Sequence, residues 1–219
     1  MINQPPLSKL VARELRERIW SGVLAPGQRL IEVNIASEFA ISRGSLREAM
    51  QMLEREGLVE SVPRHGTFVR DLTVEDLREI SEVRLMLETF AFLRAARVTT
   101  SADLVALRQI VVDMEEAGER GDWEKLQSAD LQFHRSVVAL SANRRVIEYY
   151  SAIQGQIRLL FTHLPIEYPD LQQLIAEHRE LLAALKQRDE AAVLEAITAH
   201  LKDAEEKYLR HTRVRTTQA

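Results

Sequence analysis

The stretch RLIEVNIASEFAISRGSLREAMQMLEREGLVESVPRHGTFV, residues 29–69, contains the patterns that decide how the chain begins to fold. Residues 29–39 predict a short helix, and Ser42 can cap a longer helix that Gly57 ends. Two short alternating runs then flank Pro63-Arg64-His65-Gly66, which is typical of a β-hairpin. Together with an amphipathic helical pattern just before it, the stretch predicts three helices and a hairpin in one compact unit.

The composition of the chain favours a cytoplasmic protein. Its 219 residues include no cysteine, which excludes disulfides and thiolate metal sites and favours a reducing compartment. No apolar run approaches the ~20 residues that a bilayer crossing requires, and the N-terminal residues lack the pattern of a signal peptide. We therefore expect a cytoplasmic protein with no membrane partner, and 46% hydrophobic residues allow it a substantial core.

Charge and composition change along the chain near residue 72. Residues 1–71 contain ten Lys/Arg and nine Asp/Glu, whereas residues 72–219 contain nineteen and twenty-four, so that only the first part is net positive. The first part is therefore the better partner for a polyanion such as DNA. Most of the glycine and proline also lies there, which predicts two domains at residues 1–71 and 72–219.

The second part of the chain consists of long apolar-periodic segments, each starting near a Ser, Thr or Asp that can cap a helix. This pattern predicts a mainly α fold, in which the N-terminal unit is followed by an antiparallel all-helical bundle of about six helices. The predicted helices span residues 73–97, 101–118, 122–141, 143–162, 170–187 and 189–211.

The helix capped by Ser42 has a polar face opposite its apolar one. Such a face can enter the major groove of DNA, where arginine reaches guanine edges or phosphates and small residues allow close approach. His65 and Gly66 at the hairpin tip suit a contact with a phosphate or the minor groove. An ordinary three-helix domain with a solvated polar face has the same pattern. The polar face and its N-terminal flank consist of Arg43, Gly44, Ser45, Arg47, Glu48 and Gln51.

These features, in this order, resemble the winged helix-turn-helix of the GntR family of bacterial transcription regulators. The likeness covers about residues 7–70, and it is specific because the turn, the capped arginine helix and the wing are preserved together in this order. The matching residues are Pro26-Gly27, Leu30, Glu32, Ser42-Arg43, Leu46-Arg47-Glu48-Ala49, Leu53, Glu56-Gly57-Leu58-Val59 and His65-Gly66.

The resemblance implies operator binding by the capped helix and the wing. Gly44 and Ser45 depart from the family pattern, which usually has Thr followed by Pro or Thr, and Val33 stands where many members have arginine. The operator sequence therefore cannot be transferred from relatives. With Gln51 on the same face, the residues expected to bind DNA are Ser42, Arg43, Gly44, Ser45, Arg47, Gln51, His65 and Gly66.

Three histidines of the second part, His134, His178 and His200, lie on the apolar faces of three different predicted helices, and Asp130 shares the face of His134. A single inward histidine is usually a core residue bonded to a neighbour. Three imidazoles and a carboxylate in one core are costly unless something binds them jointly. A divalent metal does so, and this donor set predicts one ion per chain, zinc first, with nickel, manganese or iron as alternatives.

Arg84 also faces the predicted core, in line with Leu77 and Leu87. A guanidinium keeps its charge and therefore needs an anion there. Glu88, one helical turn further on, can supply that anion in an ion pair. Alternatively, Arg84 can bind the carboxylate of a small molecule whose other oxygens reach the metal, and the two interpretations are compatible.

The second part resembles the FCD effector-binding domain of the FadR branch of the GntR family, over about residues 73–212. This implies a metal held by the Asp and three His beside a pocket for organic acids. Acyl-CoA-responsive relatives lack the metal set, so a small carboxylate effector is expected, bound by Arg84 and by Asn143, although Asn143 lies in a segment that departs from the family pattern. The matching residues are Val83-Arg84-Leu85, Leu87-Glu88, Asp130-Leu131, Phe133-His134, Glu177-His178 and His200.

Together the two parts predict a ligand-responsive, metal-containing transcription regulator, a repressor that senses a small organic acid. One reading helix covers only a few base pairs, so we expect a homodimer on a pseudo-palindromic double-stranded operator. No catalytic residue is predicted, because Glu88 is the only further inward carboxylate. The alternatives are a metal-dependent hydrolase fused to a DNA-binding head and a constitutive DNA binder with a purely structural metal.

Overall fold

The computed structural model describes residues 5–163 and 171–216, with side chains described at 5–160 and 171–206. The fold is mainly helical, as predicted, with one small sheet near the N-terminus. Its elements are α1 (Leu7–Trp20), β1 (Arg29–Leu30), α2 (Glu32–Glu38), α3 (Arg43–Arg55), β2 (Val59–Val62), β3 (Gly66–Val69), α4 (Val74–Val98), α5 (Ser101–Glu119), α6 (Trp123–Leu140), α7 (Arg144–His163), α8 (Leu171–Gln187) and α9 (Glu190–Thr216).

The sheet is antiparallel, with the strand order β1-β3-β2. Strands β2 and β3 are the predicted hairpin. The prediction of a helix from residue 29 onward is wrong at its start, because Arg29 and Leu30 form β1 and the helix begins at Glu32. A two-residue strand has no periodicity of its own, and this one exists because it pairs with Thr67 and Phe68, which are distant in sequence.

The N-terminal unit comprises residues up to Thr73 together with residues 152–163 of α7. Its apolar core includes Leu159 of α7 beside the buried residues of α1, α3 and the sheet. Helix α7 approaches so closely that a Cβ on Gly155 would lie 3.2 Å from the Glu56 carbonyl oxygen, which explains the glycine at this position. The division into domains at residues 71 and 72 stays a prediction. It assigns all of α7 to the second domain.

The C-terminal unit is a helical bundle with a second apolar core. In it α4 packs against α6 and α9, α5 packs against α6 and α8, and α8 packs against α9. Across residues 74–163 and 171–216 the six predicted helices are present, most of their ends within one residue of the prediction, although α9 continues to Thr216 instead of ending at residue 211. The predicted start of the fifth helix at residue 170 lies outside the described residues. Within the described part of the chain, no helix is long and apolar enough to cross a membrane.

Candidate metal centre and DNA-binding surface

Four side chains with metal-ligating atoms meet inside the C-terminal unit. Asp130 and His134 lie one turn apart on α6, His178 lies on α8 and His200 lies on α9. One ligand atom of each lies within 4.8 Å of the others, and all four residues are buried. The structure thus brings the four predicted ligands together from three helices.

The imidazole Nε2 atoms and the Asp130 carboxylate face one another over short distances. Nε2 of His134 lies 3.1 Å from Nε2 of His200, and Nε2 of His178 lies 3.2 Å from Oδ1 of Asp130. The same oxygen lies 3.9 Å from Nε2 of His134. The ring of Phe133 meets that of His178 edge-on with centroids 5.1 Å apart, so apolar side chains enclose the polar cluster.

Each imidazole also forms a hydrogen bond through its Nδ1 atom, on the side of the ring that faces away from the cluster. An acceptor at Nδ1 requires this nitrogen to carry the proton and donate it, so the neutral ring turns its Nε2 lone pair toward the cluster. Histidines that bind metals are typically oriented by such an outer partner. The pairs are His134 with the Glu88 carboxylate, His178 with the Leu174 carbonyl oxygen at 2.8 Å, and His200 with the Glu177 carboxylate at 2.7 Å.

This arrangement leaves buried polar atoms that a cation would satisfy. Both carboxylate oxygens of Asp130 and Nε2 of His178 lack a hydrogen-bond partner among the described residues, since their close contact is not aligned for a hydrogen bond. The lone pairs of His134 and His200 face each other across 3.1 Å. A buried unpaired carboxylate is costly. Three neutral imidazoles and one carboxylate therefore fit a divalent first-row metal.

The electrostatics of the cluster keep Asp130 ionised and His200 neutral. Burial alone would raise the pKa of Asp130, but the contact with His178 and the proximity of His134 and Arg84 hold that pKa well below its usual range. Burial lowers the pKa of His200, and His178 and His134 lower it further. A carboxylate and a neutral imidazole are the protonation states in which these groups bind metals.

Arg84 and Glu88, one turn apart on α4, form a buried ion pair. Nε of Arg84 donates to Oε1 of Glu88, whose other oxygen accepts from His134. Burial would raise the pKa of Glu88, but Arg84 and then His134 hold it below its usual range. Nη2 of Arg84 is buried without a partner in the described part of the chain. The predicted ion pair therefore uses Nε of the guanidinium and leaves Nη2 available.

Tyr150 on α7 is a buried polar residue that the sequence predictions do not include. Its side chain is 1% exposed, and its hydroxyl has no hydrogen-bond partner within the described residues. Burial raises the pKa of Tyr150 well above its usual value, and the neighbouring Glu88 carboxylate raises it further, so the hydroxyl stays protonated. Its spacing of seven residues from buried Ile157 is a helical signal that could have identified it.

Asn143 lies just before α7 and caps that helix. Its Oδ1 accepts hydrogen bonds from the backbone amides of Arg145 at 3.1 Å and Val146 at 3.3 Å. The side-chain oxygen is therefore already engaged by the helix. The contact of Asn143 with an effector stays a prediction.

Helix α3 exposes the polar face predicted to read DNA. The Ser42 hydroxyl caps the helix by accepting from the Ser45 amide at 3.1 Å, and Ser45 is half-buried. Arg47 lies 3.7 Å from a Glu32 oxygen, but 70% of its side chain is exposed, so this ion pair is weak and leaves the guanidinium available. The exposed residues of the face are Ser42, Arg43, Gly44, Arg47, Glu48 and Gln51.

The wing places His65 and Gly66 at an exposed hairpin tip. The turn is tight, because Arg64 and Gly66 have φ values of 66° and 109° and the His65 amide donates to the Val62 carbonyl oxygen at 3.0 Å. The Arg29 guanidinium lies beside Gly66, where a Cβ would be 3.1 Å from its Nε. Arg29 thus adds an exposed cation beside the wing. The sequence predictions did not include this cation, because they assigned residue 29 to a helix.

A unit of three helices with a wing, joined in one chain to a helical bundle with a buried polar site, is the organisation of a DNA-binding transcription regulator. Comparison with known protein families gives the same class of protein. The family described as bacterial regulatory proteins, gntR family, matches residues 7–69, and the FCD domain matches residues 79–203. The chain belongs to the GntR family of bacterial transcription regulators and carries an FCD domain.

Individual relatives match nearly the whole chain. The gluconate operon transcriptional repressor of Bacillus subtilis is 28% identical over 207 residues, covering 90% of this chain and 83% of that protein. The transcriptional repressor RspR of Escherichia coli K12 is 28% identical over 205 residues, with 92% and 88% covered. The structure of a transcriptional regulator GntR from Rhodococcus sp. RHA1 matches with a TM-score of 0.81 and 28% identity over 92% of this chain and 97% of that one. The chain is therefore a regulator and not an enzyme, and the hydrolase alternative is excluded.

Replacing Glu88 by Gln should leave the charge of Arg84 without its counter-ion inside the bundle. We expect the unfolding free energy of the chelator-treated protein to fall by about 3–5 kcal/mol at neutral pH. The pKa of Glu88 is lower in the folded than in the unfolded chain, so its carboxylate stabilises the fold above the unfolded pKa. This stabilisation is lost as the pH falls through the folded pKa, and the difference between the two proteins should therefore shrink in acid.

Urea unfolding followed by Trp123 fluorescence, in a Trp20→Phe background, measures this loss in the C-terminal unit, where Trp123 packs against the core. The control is Glu190→Gln, which removes an exposed carboxylate paired with Arg97 and should change the stability little. An equal loss in both variants would contradict the role given to the buried pair.

Proposed function

We propose that this regulator is a metal-containing repressor that binds a pseudo-palindromic operator as a homodimer and responds to a small organic acid. The observation that carries the proposal is the Asp130 carboxylate, buried with both oxygens unpartnered among the described residues and surrounded by three imidazoles. A bundle that only had to fold would gain from apolar residues at these positions. The polar cluster is explained when it binds a metal and, through the metal, a ligand.

Asp130, His134, His178 and His200 would hold one divalent ion, zinc first, with nickel, manganese or iron as alternatives. When bound, the ion would supply positive charge that attracts the oxygen atoms of an anionic ligand. The chain's own groups do the rest: the outer acceptors hold the imidazole protons at Nδ1, and Arg84 offers its unpartnered Nη2 to a carboxylate. A small organic acid matches both a metal and a guanidinium.

In the proposed complex with DNA, α3 enters the major groove and the wing contacts the backbone or the minor groove. A two-fold symmetric homodimer would contact two half-sites of the operator, which gives the affinity that a regulator needs. Repression is supported by relatives that are named as repressors. The residues proposed to contact DNA are Ser42, Arg43, Gly44, Ser45, Arg47, Gln51, His65 and Gly66.

The effector would act by shifting the equilibrium between dimers with high and low affinity for the operator. It can do so only by its differential affinity for the two states. The competing proposal is that the metal clamps three helices while DNA binding is unregulated. The two proposals differ in the role of Arg84, because a metal that only clamps helices gives no function to the unpartnered Nη2.

The protein purified without chelator should contain about one equivalent of a first-row divalent metal per chain. His178→Ala removes one proposed ligand and should lose most of this metal. His65→Ala is the matched control, because the same substitution on the exposed wing should keep the wild-type metal content. Elemental analysis by mass spectrometry measures both, and a metal-free wild type would contradict the proposed site.

Arg47→Ala should weaken operator binding by roughly 1–3 kcal/mol if Arg47 makes a bidentate contact with guanine. The measurement is fluorescence anisotropy on a duplex that the wild-type protein has selected from a random library. Arg55→Ala serves as the control, since Arg55 is exposed at the other end of the same helix and should matter less. Unchanged affinity in Arg47→Ala would mean that α3 does not read the operator as proposed.

Arg84→Lys keeps a positive charge beside Glu88 but cannot offer Nη2. An acid that releases the wild-type protein from the selected duplex should therefore fail to release this variant, while its metal content is unchanged. The acids to screen by anisotropy include D-gluconate, because one relative is named for the gluconate operon. Arg97→Lys, an exposed change on the same helix, should respond like the wild type.

Equal release of the Arg84→Lys variant would favour the structural clamp. A wild-type protein whose DNA binding no small acid changes would be a constitutive binder.

A further inference from the structure

We propose that Tyr150 is a second effector-binding residue, which together with Arg84 holds the carboxylate of a small monocarboxylic acid. This inference rests on the proposed metal and effector site, and it adds to that site a residue and a ligand charge. It starts from two buried donors on different helices, Nη2 of Arg84 on α4 and the hydroxyl of Tyr150 on α7.

Both donors lie beside Glu88, yet neither Nη2 of Arg84 nor the Tyr150 hydroxyl is satisfied by it. Glu88 is engaged at both oxygens, by Nε of Arg84 and by Nδ1 of His134. The Tyr150 hydroxyl lies close enough to the same carboxylate to interact with it, but the contact does not have the geometry of a hydrogen bond. Leaving one buried donor unpaired is already unfavourable, and two neighbouring ones indicate an acceptor that binds between them.

The chemistry of the two donors selects a carboxylate. A guanidinium offers planar, charged donors that match carboxylate oxygens, and a protonated phenol adds one neutral donor. The two groups approach from different helices, so they can bind two oxygens of one ligand. A neutral ligand would leave the charge-assisted bond to Arg84 unused.

The buried charge selects a monoanion. Arg84 is a buried cation, Glu88 and Asp130 are buried anions, and the proposed divalent ion adds two positive charges, which leaves one positive charge in excess. Glu177 is left out of this sum, because it lies at the edge of the site with 17% of its side chain exposed and its carboxylate is engaged by the His200 imidazole and by a further interaction. A ligand with one carboxylate neutralises the buried groups, whereas a dicarboxylate would carry an extra charge into the apolar core.

Isothermal titration of the zinc-loaded, full-length protein tests the inference, with L-lactate and D-gluconate as monocarboxylates and succinate as a dicarboxylate. Tyr150→Phe should weaken monocarboxylate binding by roughly 10- to 100-fold, as expected for the loss of one hydrogen bond to a charged group. Its zinc content and its melting temperature without acid should not fall, because the lost hydroxyl has no partner in the described structure. Tyr149→Phe changes the adjacent, 61% exposed tyrosine and should bind like the wild type.

The outcomes separate this inference from the function on which it rests. Wild-type affinity in Tyr150→Phe overturns the role of Tyr150 and leaves the effector site standing. A lower melting temperature or loss of zinc in Tyr150→Phe without acid shows a structural hydroxyl and also overturns it. Tighter binding of succinate than of either monocarboxylate overturns the charge assignment. A zinc-loaded wild type that binds none of these acids overturns the ligand class, and with it the proposed response to small acids.

Discussion

The buried carboxylate of Glu88 joins the proposed effector site to the proposed metal site inside the bundle. One of its oxygens accepts from Arg84, the other accepts from His134, and the Tyr150 hydroxyl lies close to it. Because Glu88 is fully buried, its charge is stabilised by Arg84 and His134 and not by water. The same carboxylate thus sets the tautomer of one proposed metal ligand and the position of the guanidinium proposed to bind the effector. A ligand bound at Arg84 would therefore be connected to His134 through the single side chain of Glu88.

Those features of the fold and site that depend on local periodicity could be predicted from the sequence. The inward positions of His134, His178 and His200 follow from a period of 3.6 residues, and each is buried in the structure. The meeting of these residues from three helices follows from the free-energy cost of burial, since buried imidazoles and a carboxylate need a common partner. The cap by Ser42 was equally local, because hydroxyl and amide are three residues apart.

Features that depend on distant pairing could not be predicted. Strand β1 exists only through its bonds to β3, and the acceptors behind two of the histidines, Glu88 and Glu177, lie on other helices. Nothing in the order of residues says that a glutamate on α4 will meet a histidine on α6. Tyr150 is intermediate, because its helical spacing marks it as buried but cannot show that its hydroxyl lacks a partner among the residues that the structure describes.

Helix α7 affects how such regulators can be recombined. The core of the N-terminal unit contains Leu159, and Gly155 allows the helix to pass close to Glu56. A chimera joined at residue 73 would therefore give the DNA-binding unit a foreign helix at this surface, or none. A chimera that exchanges the N-terminal unit between relatives should therefore also exchange residues 152–163, although about 80 residues separate them from Thr73 in sequence. The structural unit that contains the wing and α3 is thus discontinuous in the sequence.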